Sequence, residues 1–314
     1  MISDKFAGCL SNFHHSMQIG STGLEKAIED KLSELKGSTV KINSANSVGG
    51  GSINSAYHLD TDAGHYFLKV NSASRHPMMF EREAEGLNTL AGTSTLHVPK
   101  AIFTGRSGDE AFILTEFIEK GSPGQHFWQD YGRGLAELHR HSDEKFGFEH
   151  DNYIGSLVQV NEWADSWAEF FITRRLEVMV KMALDKGAMG RDMLASFDRL
   201  YSLLRDFFPE EKPALLHGDL WSGNYMMTEE GMPSIFDPAV YYGHREMDLG
   251  MSRLFGGFSP EFYRHYHEHY PLEKGWEERL DVANLYPLMV HVNLFGGSYL
   301  YDVKGVLKRV VGRV

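Results

Sequence analysis

The sequence predicts an α+β chain of two lobes, a small antiparallel-sheet lobe followed by a mostly helical one. Three observations carry this. Short β-rich runs separated by turns fill residues 40 to 118. From Gly121 onward the apolar residues recur with helical period. One strand-like island, Pro213 to Asp237, interrupts the helical half. Each lobe needs its own apolar contacts, and the cleft between two lobes is a common place for a ligand.

Residues 1–20 show no clear period and read as a tail. Thr22 and Glu25 have capping-box spacing, and Leu24, Ile28, Leu32 and Leu35 share one face before Gly37, which predicts a helix. Val40 to Ile42, Ala56 to Asp60 and Tyr66 to Val70 predict three strands, with SVGGGSIN between the first two and a Thr61-Asp62-Ala63-Gly64 turn between the others. Pro77 suits the first position of a second helix, on which Phe80, Ala84, Leu87 and Ala91 share a face. Val98 to Thr104 and Ala111 to Phe117 add two strands and close a first lobe over 21–118.

The second lobe, 119–314, carries helical patterns over 126–140, 162–186, 192–207, 244–256, 260–270 and 277–300. Trp163, Trp167, Phe170 and Phe171 have the spacing of a packed helix face. In the island, Ala214 to Leu216, Tyr225 to Thr228 and Ser234 to Phe236 are strand-like and bracket a loop and a Glu229-Glu230-Gly231 turn.

Composition narrows the function. The 314 residues hold 31 Lys and Arg against 43 Asp and Glu, a formal charge of −12. A surface that displaces counterions from nucleic acid needs the opposite sign, so no nucleic-acid partner is expected. The N-terminus lacks the apolar stretch of a signal peptide, and no run approaches the roughly 18 apolar residues that span a bilayer. We therefore expect a cytoplasmic protein with no membrane partner. Cys9 is the single cysteine, so no intramolecular disulfide can form.

The island holds the densest chemistry, His217-Gly218-Asp219-Leu220-Trp221-Ser222-Gly223-Asn224 followed by Phe236-Asp237-Pro238. Asp219 and Asn224 share a loop and Asp237 follows across a hairpin, so the three can converge. Phosphoryl transfer from ATP uses that set: a carboxylate for the acceptor's proton, and hard oxygens for Mg²⁺. Lys69 on the third strand and Glu83 on the next helix offer an ammonium for the phosphates and a carboxylate to fix it. Glu81 and Glu85 are the other candidates, but Glu83 adjoins the apolar face. Gly49, Gly50, Gly51 and Ser52 form a turn whose N–H groups can approach phosphate, although most glycine clusters are plain hairpin turns. His265 and His269 are four apart, yet no HExxH accompanies them and an ordinary helix surface is the simpler expectation.

The passages LLHGDLWSGN, IFDPAVYYGHREMDLGMSRLFGGF, QVNEWADSWAEFF and AYHLDTDAGHYFLKV resemble the fructosamine kinase (ketosamine 3-kinase) family, within the aminoglycoside phosphotransferase and protein-kinase-like superfamily. The resemblance runs from about Thr22 to the C-terminus. It implies a bilobal protein-kinase-like fold, with Asp219 as catalytic base, Asn224 and Asp237 as Mg²⁺ ligands, and Lys69 with Glu83 as the phosphate anchor. It also implies that the backbone at Glu116 and Ile118 meets adenine and that Asp248 braces the catalytic loop. Some family members carry a cysteine in the glycine-rich turn, and this chain has none there. The implied activity is ATP-dependent phosphorylation of the sugar 3-hydroxyl of a small-molecule or protein-bound ketosamine. Trp221 either walls the acceptor or packs the loop. Another small-molecule hydroxyl kinase and a nucleotide-binding pseudokinase are the alternatives; retention of Lys69, Asp219, Asn224 and Asp237 argues against the second.

Overall fold

The structure, a computed structural model, describes residues 19–49 and 53–312. Cys9 and the turn residues Gly50, Gly51 and Ser52 lie outside the described residues.

Helix α1 (Thr22–Lys36) starts where the Ser21 hydroxyl accepts the Leu24 N–H and stops where Gly37 takes φ 68°. The cap thus falls one residue before the expected Thr22, and Glu25 accepts the Ile19 N–H at 3.2 Å. Leu24, Ile28 and Leu32 are buried, but Leu35 in the last turn is 53% exposed, with no cover over that end among the described residues. Strands β1 (Ile42–Ser47), β2 (Ser55–Thr61) and β3 (Gly64–Ser72) follow. The first strand starts later than expected because the Val40 N–H is drawn back to Ser33 Oγ at 2.8 Å. Helix α2 (Met79–Gly92) begins beyond Pro77 because Met78 stands at a left-handed φ of 60° between them. Leu90 rather than Ala91 completes its buried face.

β4 (Ala101–Ser107) and β5 (Glu110–Glu116) complete an antiparallel sheet in the order β1-β2-β3-β5-β4. β3 is central, and Lys69 sits between Ala56 and Ile113 of its neighbours. Successive strand residues face opposite ways, so Leu114 joins a cluster with Leu24, Ile28 and Leu68 under α1. Ile113 instead joins Phe80 and Leu87 in the larger core that fills the helical half. Helix α2, and Glu83 with it, is thereby packed between the sheet and the second lobe, where Gly86 meets Pro238 and Val240.

The chain then forms α3 (Phe127–Leu138) and a short hairpin, β6 (Asn152–Ile154) with β7 (Leu157–Gln159). α4 (Trp167–Phe170), a π-helical turn (Phe171–Leu176) and α5 (Glu177–Asp185) run on as one rod. Trp163 precedes this rod rather than sharing its face, because the Ser166 side chain caps it. After α6 (Leu194–Leu204) come β8 (Ala214–Leu216), β9 (Tyr225–Met227), β10 (Pro233–Ile235) and β11 (Tyr241–Gly243), paired β8 with β11 and β9 with β10. Helices α7 (Glu246–Leu254), α8 (Pro260–His269), α9 (Trp276–Ala283), α10 (Leu285–Phe295) and α11 (Leu300–Val311) complete the chain. Residues 277–300 are therefore not one helix. Pro287, which lacks an N–H, fits only the first turn of a new helix, and Gly296 at φ 97° ends it. No helix among the described residues is long and apolar enough to cross a membrane.

Candidate active site

β8 delivers the chain to His217, Gly218 and Asp219. Gly218 stands at φ 83°, and a Cβ there would lie 2.0 Å from the Ala239 carbonyl oxygen, so the turn requires glycine. Asp248, in the first turn of α7, accepts the N–H groups of His217 and Gly218 at 2.8 and 2.9 Å. These two bonds tie α7 to the loop, the contact that the family resemblance implied for Asp248. His217 Nε2 donates to the Phe236 carbonyl at 2.9 Å, which leaves Nδ1 to accept the Asp219 N–H at 3.3 Å. Burial pushes the His217 imidazole below its ordinary value, against the Asp248 charge, and so favours the neutral ring this tautomer needs.

Asn224 Nδ2 donates to both the backbone oxygen and the carboxylate of Asp219, each at 2.9 Å. Burial, opposed by that hydrogen bond and reinforced by the charges of Asp237 and Asp248, pushes the Asp219 carboxyl up to about 7. Such a group exchanges a proton near neutrality, as a general base must.

Asp237 lies past the β9–β10 hairpin at φ 57°, a left-handed conformation that is costly for a non-glycine residue. Its carboxylate accepts from Lys69 Nζ, which also donates to Glu83 at 2.7 Å. Burial works against the lysine charge, but the two carboxylates outweigh it and hold the Lys69 pKa above its ordinary value. Of the three candidate carboxylates on α2, Glu83 is the one Lys69 bonds, while Glu85 is occupied by Arg82 and His150, each at 2.9 Å.

Lys69, Glu83, Asp219, Trp221, Asn224 and Asp237 line a single cleft of about 230 Å³. Trp221 is half-buried there, edge-on to Phe255 at 6.1 Å. Glu116 and Ile118 do not line it: they sit at the end of β5, where the Glu116 N–H donates to the Lys100 carbonyl at 2.9 Å. Gly49 is exposed just past β1 and lines nothing in the cleft, whereas Ile53 and Asn54 do. His265 and His269 are apart from the cleft; His265 faces Glu268 at 2.9 Å and His269 Nδ1 donates to the His265 carbonyl. Sequence reasoning missed Asn152, Tyr241, Tyr286 and His291, all in the cleft wall. Tyr241 lies inside the quoted passage YYGHREMDL, which was the one available signal.

The donor set suits a hard divalent cation. Asn224 spends its amide N–H groups on Asp219, which leaves Oδ1 as its remaining donor atom, and Asp237 adds a carboxylate oxygen. Among the described residues no cluster of three or more His, Cys, Asp and Glu side chains could hold a metal. Few protein oxygens, completed by phosphates and water, is the pattern of Mg²⁺ rather than of a closed structural site.

Comparison with known proteins gives the same direction. The profile described as fructosamine kinase matches residues 24–313. A Synechocystis protein described as a probable ketoamine kinase is 39% identical over 93% of this chain and 99% of its own. The chloroplastic protein-ribulosamine 3-kinase of Arabidopsis thaliana is 40% identical over 89% of this chain and 87% of its own. A solved structure from Haemophilus somnus, of a protein named provisionally as a fructosamine-3-kinase, superposes with a TM-score of 0.82 at 29% identity, covering 90% and 96% of the two chains. An aminoglycoside phosphotransferase solved with AMP-PNP and hygromycin B reaches 0.62 at 15% identity, over 91% of this chain and 99% of that one, a likeness of fold alone.

Proposed function

This chain belongs to the fructosamine kinase family, and from that premise we propose that it phosphorylates the sugar 3-hydroxyl of ketosamines at the expense of ATP. The enzyme is a phosphotransferase with an alcohol acceptor. The observation that carries the reading is the convergence of Asp219, Asn224, Asp237 and the Lys69–Glu83 pair on one cleft.

Asp219 receives the proton of the acceptor hydroxyl as its oxygen attacks the γ-phosphorus and the bond to the β–γ bridging oxygen breaks. Asn224, bonded to the same carboxylate, holds it in one rotamer. Lys69, kept charged by Glu83 and Asp237, binds the α- and β-phosphates and offsets charge on the departing ADP. When bound, Mg²⁺, held by Asn224 and Asp237, supplies further neutralisation of the phosphate oxygens. The family resemblance is the ground for assigning backbone donors to the phosphates to Gly49–Ser52 and the adenine contact to the backbone at Glu116 and Ile118, which lies beside this cleft rather than in it. The 3-phosphate destabilises the sugar–amine adduct and frees the amine, which makes the reaction a deglycation step acting on a small-molecule or protein-bound adduct.

The test is a coupled ADP-release assay with fructosamine, ribulosamine and erythrulosamine acceptors, with kanamycin and choline as controls, and phosphorus NMR of the product. Turnover on a ketosamine with a 3-phosphate product supports the reading. Turnover confined to the controls overturns it.

A further inference from the structure

Arg175 is the largest side chain wholly shut from solvent among the described residues. It projects from the π-helical turn Phe171–Leu176, a local widening often found beside functional sites. Arg174 next to it pairs with Glu162 at 2.9 Å, whereas no carboxylate among the described residues lies within ion-pair distance of Arg175. Its guanidinium donates instead to the Val160 carbonyl, to the Arg174 carbonyl at 3.2 Å and to Asn161 Oδ1 at 2.8 Å. Its Cζ lies 4.1 Å from the ring centre of Tyr241, 4.4 Å from Phe170 and 5.3 Å from Tyr286.

A buried charge without a counter-ion is a poor way to stabilise a core, and an apolar side chain of equal size would serve stability better. What arginine adds is a planar cation that fixes aromatic rings by their faces. The two tyrosines it fixes both line the cleft that holds Asp219. Tyr286 Oη donates to Gln159 Oε1 at 2.8 Å, and Gln159 Nε2 donates to Asn152 Oδ1 and to the Ala239 carbonyl. Asn152 Nδ2 in turn donates to the Val240 carbonyl at 2.8 Å, so the net reaches the segment just after Asp237.

We propose that Arg175 is a positioning residue for the acceptor, holding the buried Tyr241 and Tyr286 rings as the support beneath the cleft wall against which the sugar is laid beside Asp219. This rests on the kinase reading of the cleft.

The test uses the first acceptor that the wild-type enzyme phosphorylates among fructoselysine, ribuloselysine and ethanolamine. Arg175→Lys keeps charge and length but loses the planar face. We expect its acceptor KM to rise about tenfold while the KM for Mg·ATP stays within about twofold. Tyr286→Leu should raise the acceptor KM too, and the double variant should lose less than the product of the two single losses, because both changes break the shared Arg175–Tyr286 contact. If Arg175→Lys does not fold, Phe170→Leu, which strips one ring from the guanidinium outside the cleft, replaces it in the same cycle. Losses that multiply in the double variant, or a parallel rise of both KM values, overturn the proposal. A wild-type enzyme active only on ethanolamine refutes the ketosamine reading and leaves the Arg175 cycle fully readable.

Discussion

Lys69 on the central strand is hydrogen-bonded to Asp237, 168 residues later in the chain, while the same ammonium holds Glu83 on α2. One buried cation thus ties the sheet, α2 and the loop after β10 together in the wall of the cleft. Asp237 makes this contact from a left-handed φ of 57°. That conformation costs on the order of 1 kcal/mol for a residue with a Cβ, a cost offset by the contacts a carboxylate makes there.

The first prediction follows from that carboxylate. Asp237→Asn keeps the shape, and asparagine tolerates the left-handed region, so folding should be near normal. Affinity for Mg·ATP should fall at least about tenfold, and affinity for metal-free ATP far less, because a charged oxygen ligand is lost rather than an adenine contact. Calorimetric titration with and without Mg²⁺ reads both; equal losses would mean that Asp237 does not hold the metal.

Asp219→Asn should bind nucleotide normally and lose turnover by about 10² to 10⁴-fold, the range for removing a positioned base. The Asn224 side chain keeps a hydrogen-bond partner in this variant, so the loop should survive. Near-normal kcat would refute the assignment of Asp219.

Much of this site was legible because its chemistry is local. Asp219 and Asn224 share one loop, and Asp237 sits at the end of the adjoining hairpin, so spacing alone brought the three together. Lys69 and Glu83 were legible from strand and helix periodicity, since a residue beside the apolar stripe of α2 must face the sheet. The opposite wall of the cleft was not. Asn152, Tyr286 and His291 come from the β6–β7 hairpin and from α10, and three-residue strands or helices buried on all sides carry little periodic signal. The brief strand β11 was missed for the same reason. Helix ends were misplaced where one backbone contact decides them, as at Ser21 and Met78.

The third prediction concerns pH. Burial, against the Glu211 charge and with those of Arg245 and Arg279, pushes the His244 imidazole down to about 4, and burial also lowers His139 and His217. On unfolding, each gains a proton below its ordinary value near 6.5, so the unfolded chain binds more protons and stability falls as the pH drops. For His244 the loss begins near pH 6.5, is complete near pH 4, and amounts to roughly 3 kcal/mol. His244→Phe keeps the ring contacts with Trp167 and Phe208 and removes the titration. Urea unfolding between pH 6.5 and 4.5 should therefore show a shallower loss in that variant; parallel slopes would exclude His244 as a source.

The last prediction separates the two roles of Trp221. Its indole lies over Gly223, so close that an added Cβ would stand 2.3 Å from ring atoms Cη2 and Cζ2. Gly223 has no positive φ, so alanine is tolerated by the backbone and only the ring must move. Gly223→Ala therefore displaces the tryptophan without deleting it. If the ring walls the acceptor, Gly223→Ala and Trp221→Ala should both raise the acceptor KM, by about fivefold or more, with Mg·ATP affinity near wild type. If the ring only packs the loop, Trp221→Ala should lower the melting temperature and weaken Mg·ATP and acceptor together, because the cavity loosens the short turn that carries both Asp219 and Asn224. Measured side by side, the two affinities and the melting temperature of both variants distinguish a wall that has moved from a support that has gone.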